Sequence, residues 1–310
     1  MIKPFNDPSS SSPSEPQAGP QIKALHHRGA TLAAVVKRLF KIPLAVFGFA
    51  VITLVVLMAV FADWIAPYNP EAIDVLHMLE GPGWLHPLGT DQLGRDTLSR
   101  IIFGSRIALI VSLGSVSLGA LIGTPIGLIS GYIRGWLDEV IMRFMDALVS
   151  FPSLILAVGL IAVLGSTLLN VIIAIGVANV PWIARVVRSQ ALSIREQDYV
   201  TSARAIGSGN PRIIAKYIWP NSSAPVIVQS TLGMAYAVLT EAALGFIGIG
   251  VQPPTPTWGN MLRYAFGLLD RSPILSIAPG IAIFLLILAF NFIGDALRDV
   301  LDPRLKGVIG

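Results

Sequence analysis

Few residues in this chain have the types and spacing that covalent chemistry requires. Its four histidines, His26, His27, His77 and His86, form no HExxH pair, and there is no cysteine to supply a thiolate ligand or a disulfide. No GxSxG elbow and no GxxxxGK[ST] phosphate loop occurs, so acyl transfer and P-loop ATP hydrolysis both lack their parts. One acidic residue stands out. Glu241 is the sole charge between Tyr217 and Leu262. A carboxylate at membrane depth is costly, so it faces either a cavity, lining or gating a pathway, or a neighbouring helix that hydrogen-bonds it. Asn179 and Trp182, flanking Pro181 in another apolar run, are further candidates to line a polar passage.

The elements that must position these residues are read from the charge distribution. Hydrophobic residues make up 54% of the 310 and charged residues 13%, about half the ~25% charged share of soluble domains. Such a chain belongs in a bilayer. Charge-free intervals run over Ile42–Ala62, Ile107–Ile133, Ala147–Ala184, Tyr217–Thr240, Ala242–Leu262 and Ser272–Gly294. A crossing needs about 20 apolar residues, so the 38-residue interval from Ala147 holds two helices turned at Gly165, Ser166 and Thr167. The reading is an all-α polytopic membrane protein with six spans, at about 43–62, 107–131, 147–164, 168–187, 224–248 and 274–294.

Placing both termini in the cytoplasm puts seventeen Lys and Arg inside and five outside, a strong positive-inside bias. The net charge of +4 is therefore a topology signal and gives no reason to expect nucleic acid. Residues 1–36 are expected to be a disordered cytoplasmic tail, since the first twenty-four carry five Pro and five Ser. Residues 37–310 form the membrane domain, with a cytoplasmic loop over 188–223.

Three features could carry function. Gly119, Gly123, Gly127 and Gly131 repeat every fourth residue and lay a smooth stripe on one helix face. It serves either packing within the chain or a sliding or subunit contact. In the 185–223 loop, Asp198 can open a short helix carrying Tyr199, Val200, Ala203 and Ile206 on its apolar side. Gly207 can end that helix in the left-handed conformation, Pro211 can start the next, and Pro220 is expected to break it. The product is a helical elbow suited to docking a cytoplasmic partner. On the outer side, Thr90 or Asp91 can cap an amphipathic helix with Leu93, Thr97, Leu98, Ile101 and Ile102 on its apolar face. Trp258, beyond Pro253, Pro254 and Pro256, reads as an interfacial anchor.

The elbow sequence DYVTSARAIGSGNPRIIAKYIWPN resembles the EAA coupling loop of ABC importer permeases. Thr201, Ser202 and Ala203 stand at the EAA positions, Gly207 at the glycine, and Tyr217, Trp219 and Pro220 at the closing positions. Ala203, Gly207 and Pro220 match the pattern strictly, and the glutamate is absent. FADWIAPYNP, HPLGTDQLGRDTLSRIIFGSR, GFIGIGVQPPTPTWGNML and LAFNFIGDALRDVLDPRLKG are similar to the C-type permease of the dipeptide/oligopeptide/nickel importer group.

That resemblance, spanning about residues 40–310, implies a type I ABC importer permease fold with six transmembrane helices in a bacterial inner membrane. It implies a second homologous permease, two ABC ATPases that hold the ATP and Mg2+, and a periplasmic or lipid-anchored binding protein. No cofactor is expected in this subunit. The coupling residues would be Asp198, Thr201, Ser202, Ala203, Arg204, Gly207, Pro211, Tyr217 and Pro220. Asp91, Arg95, Asp96, Gln252 and Trp258 are candidates to touch the binding protein. The expected cargo is a di- or oligopeptide, with nickel or another small solute as the alternative. A self-sufficient secondary transporter would instead call for several intramembrane charges and an internal repeat.

Overall fold

A computed structural model of the chain describes residues 32–301. Apolar segments in lipid must satisfy every backbone N–H and C=O internally, so they wind into helices. The described residues contain no strand, only an isolated antiparallel bridge between Thr90 and Asp96. The first helices are α1 (Leu32–Leu39), α2 (Pro43–Val60), α3 (Ala62–Ile65), α4 (Thr97–Ile133), α5 (Gly135–Val149) and α6 (Ser153–Leu164). They are followed by α7 (Leu168–Arg195), α8 (Asp198–Ala205), α9 (Asn210–Ile213), α10 (Trp219–Ile247), α11 (Trp258–Phe266) and α12 (Ile274–Leu301). A π-helical turn over Ile214–Ile218 joins α9 to α10.

The expected disordered tail lies mostly outside the described residues, but its boundary moves. Residues 32–36 belong to α1, held because Leu39 packs with Ala45 of α2 and with Ala296 and Val300 of α12.

Five helices are long and apolar enough to cross a membrane: α2, α4, α7, the continuous Asn210–Ile247 helix and α12. The expected span at 147–164 is corrected. There α5 and α6 meet at 89°, and they make a sixth crossing only as one bent unit. With twelve residues, α6 rises only about 18 Å against a ~30 Å hydrocarbon core. Pro152 causes the break by lacking an N–H and by pushing Phe151 out of the helical region. The stretch between the expected spans 107–131 and 147–164 is occupied by α5. Its buried Asp138 takes two hydrogen bonds from Arg188 of α7, at 2.6 and 2.7 Å.

Three other boundaries differ. The outer amphipathic helix is no separate element: Leu98, Ile101 and Ile102 lie in the first turns of α4, capped by Asp96 rather than Thr90 or Asp91, and Leu93 precedes the helix. Asn179, Pro181 and Trp182 lie inside α7, which runs on past the expected end at 187 to Arg195. Pro220 does not break the helix before the fifth span. It sits in the first turn of α10, directly after the π-helical turn, where the bonding ladder already tolerates a missing N–H.

The glycine stripe fixes the centre of the bundle. A Cβ on Gly123 would lie 2.8 Å from the carbonyl oxygen of Val180, and one on Gly131 2.7 Å from that of Arg188. The backbone of α7 occupies the space a side chain would need, so the stripe packs within the chain. Around this pair, Val111, Val171, Ile175 and Leu244 form one apolar cluster and Ile101, Val238, Trp258 and Leu286 another.

Candidate functional site

Two clusters of polar and small residues lie at opposite ends of α4. The elbow lies beyond Ile133. Its first helix, α8, buries Ala203 and also Val200, the latter in a cluster that includes Leu128, Val187 and Ile194. The chain then turns through a Schellman motif: Ser208 N–H donates to the Ala203 carbonyl and Gly207 N–H to that of Arg204, at 3.1 and 3.0 Å. Gly207 has φ +81°, a conformation that glycine adopts without a steric penalty. Pro211 lies in the first turn of α9.

Tyr132, the penultimate residue of α4, fastens this corner to the bundle. Its hydroxyl donates to Asn210 Oδ1 at 2.9 Å, and the guanidinium carbons of Arg195 and Arg204 each lie 5.8 Å from its ring centre. The underside of the elbow is thus anchored while its outer face is bare. Thr201, Ser202, Arg204, Ala205, Gly207 and Pro211 are exposed, Ile206 is 82% exposed, and nothing lies within 4 Å of a Cβ placed on Gly207. Ala203 lies in the core, on the apolar side expected for it, whereas Ile206, expected on that same side, is exposed. Tyr217 sits half-buried behind Tyr199, the ring centres 6.3 Å apart. Burial raises the Tyr199 phenol above its ordinary pKa.

The other cluster, a ledge, is built from residues 61–96 and 249–266 over the start of α4. Asp96 caps α4 by accepting hydrogen bonds from Ser99 N–H and Oγ, each at 2.7 Å, and lies 2.9 Å from His86 Nδ1. Asp91 accepts from Arg95 Nε at 2.7 Å, and buried Arg100 donates to the Pro70 carbonyl at 2.9 Å. Asp74 and His77 pair at 2.7 Å, which raises the imidazole pKa and lowers the carboxyl pKa. Trp258 donates from Nε1 to the Ile101 carbonyl at 3.0 Å and packs over Gly104.

The ledge corrects the expected binding-protein contacts. Arg95, Asp96 and Trp258 are 5%, 2% and 2% exposed and serve internal bonds. Trp258 is therefore a core residue and no interfacial anchor. Asp91 is partly covered, and only Gln252 of the five is open to solvent. A cavity of about 590 Å3 opens beside the ledge, with Asp63, Tyr68, Glu71, Phe103, Arg106 and Thr255 in its lining.

The candidate pathway residues do not converge. Glu241 is 1% exposed and faces the start of α11, so it lines no open surface in this conformation. Asn179 is buried between α4 and α10, donating to the Ile175 carbonyl at 3.0 Å. Trp182 is half exposed, 6.0 Å from the Arg185 guanidinium. Tyr132, Asn210, Thr257 and Asn260 were missed by sequence reasoning, although the Thr-x-x-Asn spacing of the last two is a helix-capping signal.

With this geometry in place, comparison with known proteins defines the class. Residues 123–307 match the family described as binding-protein-dependent transport system inner membrane component. Residues 31–82 match the N-terminal TM domain of oligopeptide transport permease C. The chain is 43% identical to the dipeptide transport system permease protein of Alkalihalophilus pseudofirmus, over 87% of this chain and 89% of that one. It is 40% identical to the glutathione transport system permease protein of Pectobacterium atrosepticum, over 87% and 90%. Inward-facing conformations of the MetNI methionine ABC transporter share the fold, with a TM-score of 0.55 at 21% identity, covering 65% of this chain and 96% of that one. The chain belongs to the inner-membrane-component family of binding-protein-dependent transport systems and is a multi-pass permease subunit of a bacterial ABC importer.

Proposed function

We propose that this subunit, paired with a second homologous permease, forms the route by which di- and oligopeptides enter the cell from an extracytoplasmic binding protein. The similarity to a dipeptide permease over 87% of the chain carries this reading. The similarity to a glutathione permease points to the same class of cargo, a short peptide. Both termini lie in the cytoplasm, on the strength of the seventeen-to-five distribution of basic residues.

Two ATPases bind the ATP and Mg2+, and one of them receives the elbow. Small exposed residues at Ser202 and Ala205 let α8 enter a cleft closely, and the Schellman turn at Gly207 sets the angle of entry. Closure of the ATPases pushes the elbow. The anchored underside, through Tyr132 and Val200, passes that displacement to α4 and α7. The two transport states then differ in what the elbow touches, as a population shift demands.

The test is reconstitution of the subunit with its partner permease, ATPases and binding protein in proteoliposomes. Labelled dipeptide, glutathione and Ni2+ are supplied separately. ATP-dependent accumulation of a peptide is expected. Accumulation of Ni2+ with no peptide uptake overturns the substrate assignment.

A further inference from the structure

The break between α5 and α6 runs over Ser150, Phe151 and Pro152, and all three residues are exposed. Ser153 opens α6, whose twelve residues reach at most about 18 Å toward the turn at 165–167. The break therefore sits inside the ~30 Å hydrocarbon core. Exposed non-helical backbone at that depth needs water or protein beside it, because lipid tails offer no hydrogen bonds.

Polar side chains stand on both sides of this break. Ser153 Oγ shares a hydrogen bond with the hydroxyl of Tyr236 on α10, and Tyr236 is 41% exposed. On the α5 side, Asp146 accepts from Arg185 Nη2 of α7 at 2.7 Å, and both side chains are more than a third exposed. Arg185 lies about 26 Å along α7 from Leu168, still within the length of a crossing. Trp182, one turn nearer the middle of that helix, is half exposed beside it. Open polar and charged groups within a span mark a wet cavity rather than a lipid face. By contrast, α2 exposes Phe47, Leu54 and Leu57, a surface suited to lipid.

The chemistry of this face fits one kind of solute. Asp146 and Arg185 neutralise each other, so the face has no surplus charge to hold a bare cation and repels neither end of a zwitterion. Tyr236 and Trp182 add aromatic surfaces that accept apolar side chains of varied shape. We propose that Ser153, Tyr236, Trp182, Asp146 and Arg185 form one wall of the water-filled route, and that a short zwitterionic peptide passes along it. The assignment rests on the importer reading above and names the residues its cargo meets.

The chain has no cysteine, so each introduced thiol is unique in this subunit. S153C, W182C and L54C are assembled separately with the partner subunits in nanodiscs and treated, without nucleotide, with a positively charged methanethiosulfonate. The reagent attacks thiolate in water, and S153C and W182C are expected to react at least about tenfold faster than L54C. In proteoliposomes, reacted S153C and W182C are expected to lose most labelled dipeptide uptake relative to the same variants unreacted, while ATP hydrolysis without binding protein continues.

Reaction at both positions as slow as at position 54, as lipid or a second permease packed on this face would impose, overturns the wet wall. Fast reaction with undiminished uptake overturns the contact with cargo. W182C keeps the test open should S153C fail to assemble. Absence of peptide transport by the unaltered importer would sink the proposed function and leave the labelling pattern standing.

Discussion

The elbow and the ledge sit at opposite ends of α4 and are built on opposite principles. The ledge turns its charges inward: Arg95, Asp96 and Arg100 are buried and bonded to one another's neighbours or to backbone. The elbow turns its small and charged residues outward and buries Val200, Ala203, Ile213 and Ile218. A segment whose polar groups satisfy one another has little left to offer a partner, and its opening costs many bonds at once. A segment anchored on one side and bare on the other is a surface waiting for contact. The likeness in sequence between them, both polar and rich in glycine and proline, conceals this difference.

The largest expected effect separates the two ends directly. Gly207→Val forces a β-branched residue to φ +81°, a strain of about 1–3 kcal/mol. It is expected to abolish uptake in proteoliposomes while membrane insertion persists, and Gly207→Asn, which tolerates that conformation better, is expected to keep part of the activity. Full uptake by the valine variant would remove the elbow from the coupling route. Next comes Trp258→Ala, which empties a buried aromatic site. Its cost is about 3–5 kcal/mol, read as a lowered thermal midpoint of the complex in nanodiscs.

Ile206→Ala is the counterpart at the elbow. At 82% exposure it is expected to move stability by no more than about 0.5 kcal/mol, yet to reduce ATPase stimulation by loaded binding protein. If Trp258→Ala leaves stability unchanged while Ile206→Ala lowers it, the contrast between the two ends fails.

The smallest effect is a pH dependence confined to the ledge. The His77 pKa is raised and the Asp74 pKa lowered by their shared hydrogen bond. Their mutual stabilisation is full below about pH 6.5 on the histidine side and fades as pH rises through the raised His77 value. On the acid side it is full above about pH 4 and fades as pH falls through the lowered Asp74 value. Selective histidine labelling and NMR titration should place His77 above a free histidine, and Asp74→Asn should bring it back.

Legibility from sequence followed the range of the interactions involved. The turn at Gly207 was readable because a Schellman motif is local, closed by bonds only three and five residues apart. The glycine stripe was readable as a contact surface, but the partner that fills it was left open. The break at Pro152 was not recognised, because the apolar interval around it is long enough for a span and apolarity does not record direction. Trp258 and Asp96 were misplaced for a related reason. Tryptophan is common at membrane interfaces and aspartate at helix caps; the approach of α4 to α11 buries Trp258, and Ser99 and His86 take up the Asp96 carboxylate.

Placement in a bilayer, the approximate spans, the bias of basic charge and the shape of the elbow all follow from local composition and short-range bonding, which travel with the chain whatever its neighbours do. Whether Glu241 meets a pathway or the start of α11, and whether the stripe meets another subunit or α7, depend on contacts between segments far apart in the chain. Those alternatives were equally compatible with the residues themselves. Packing chose among them, because a buried polar group has a definite role only once its partner is in place.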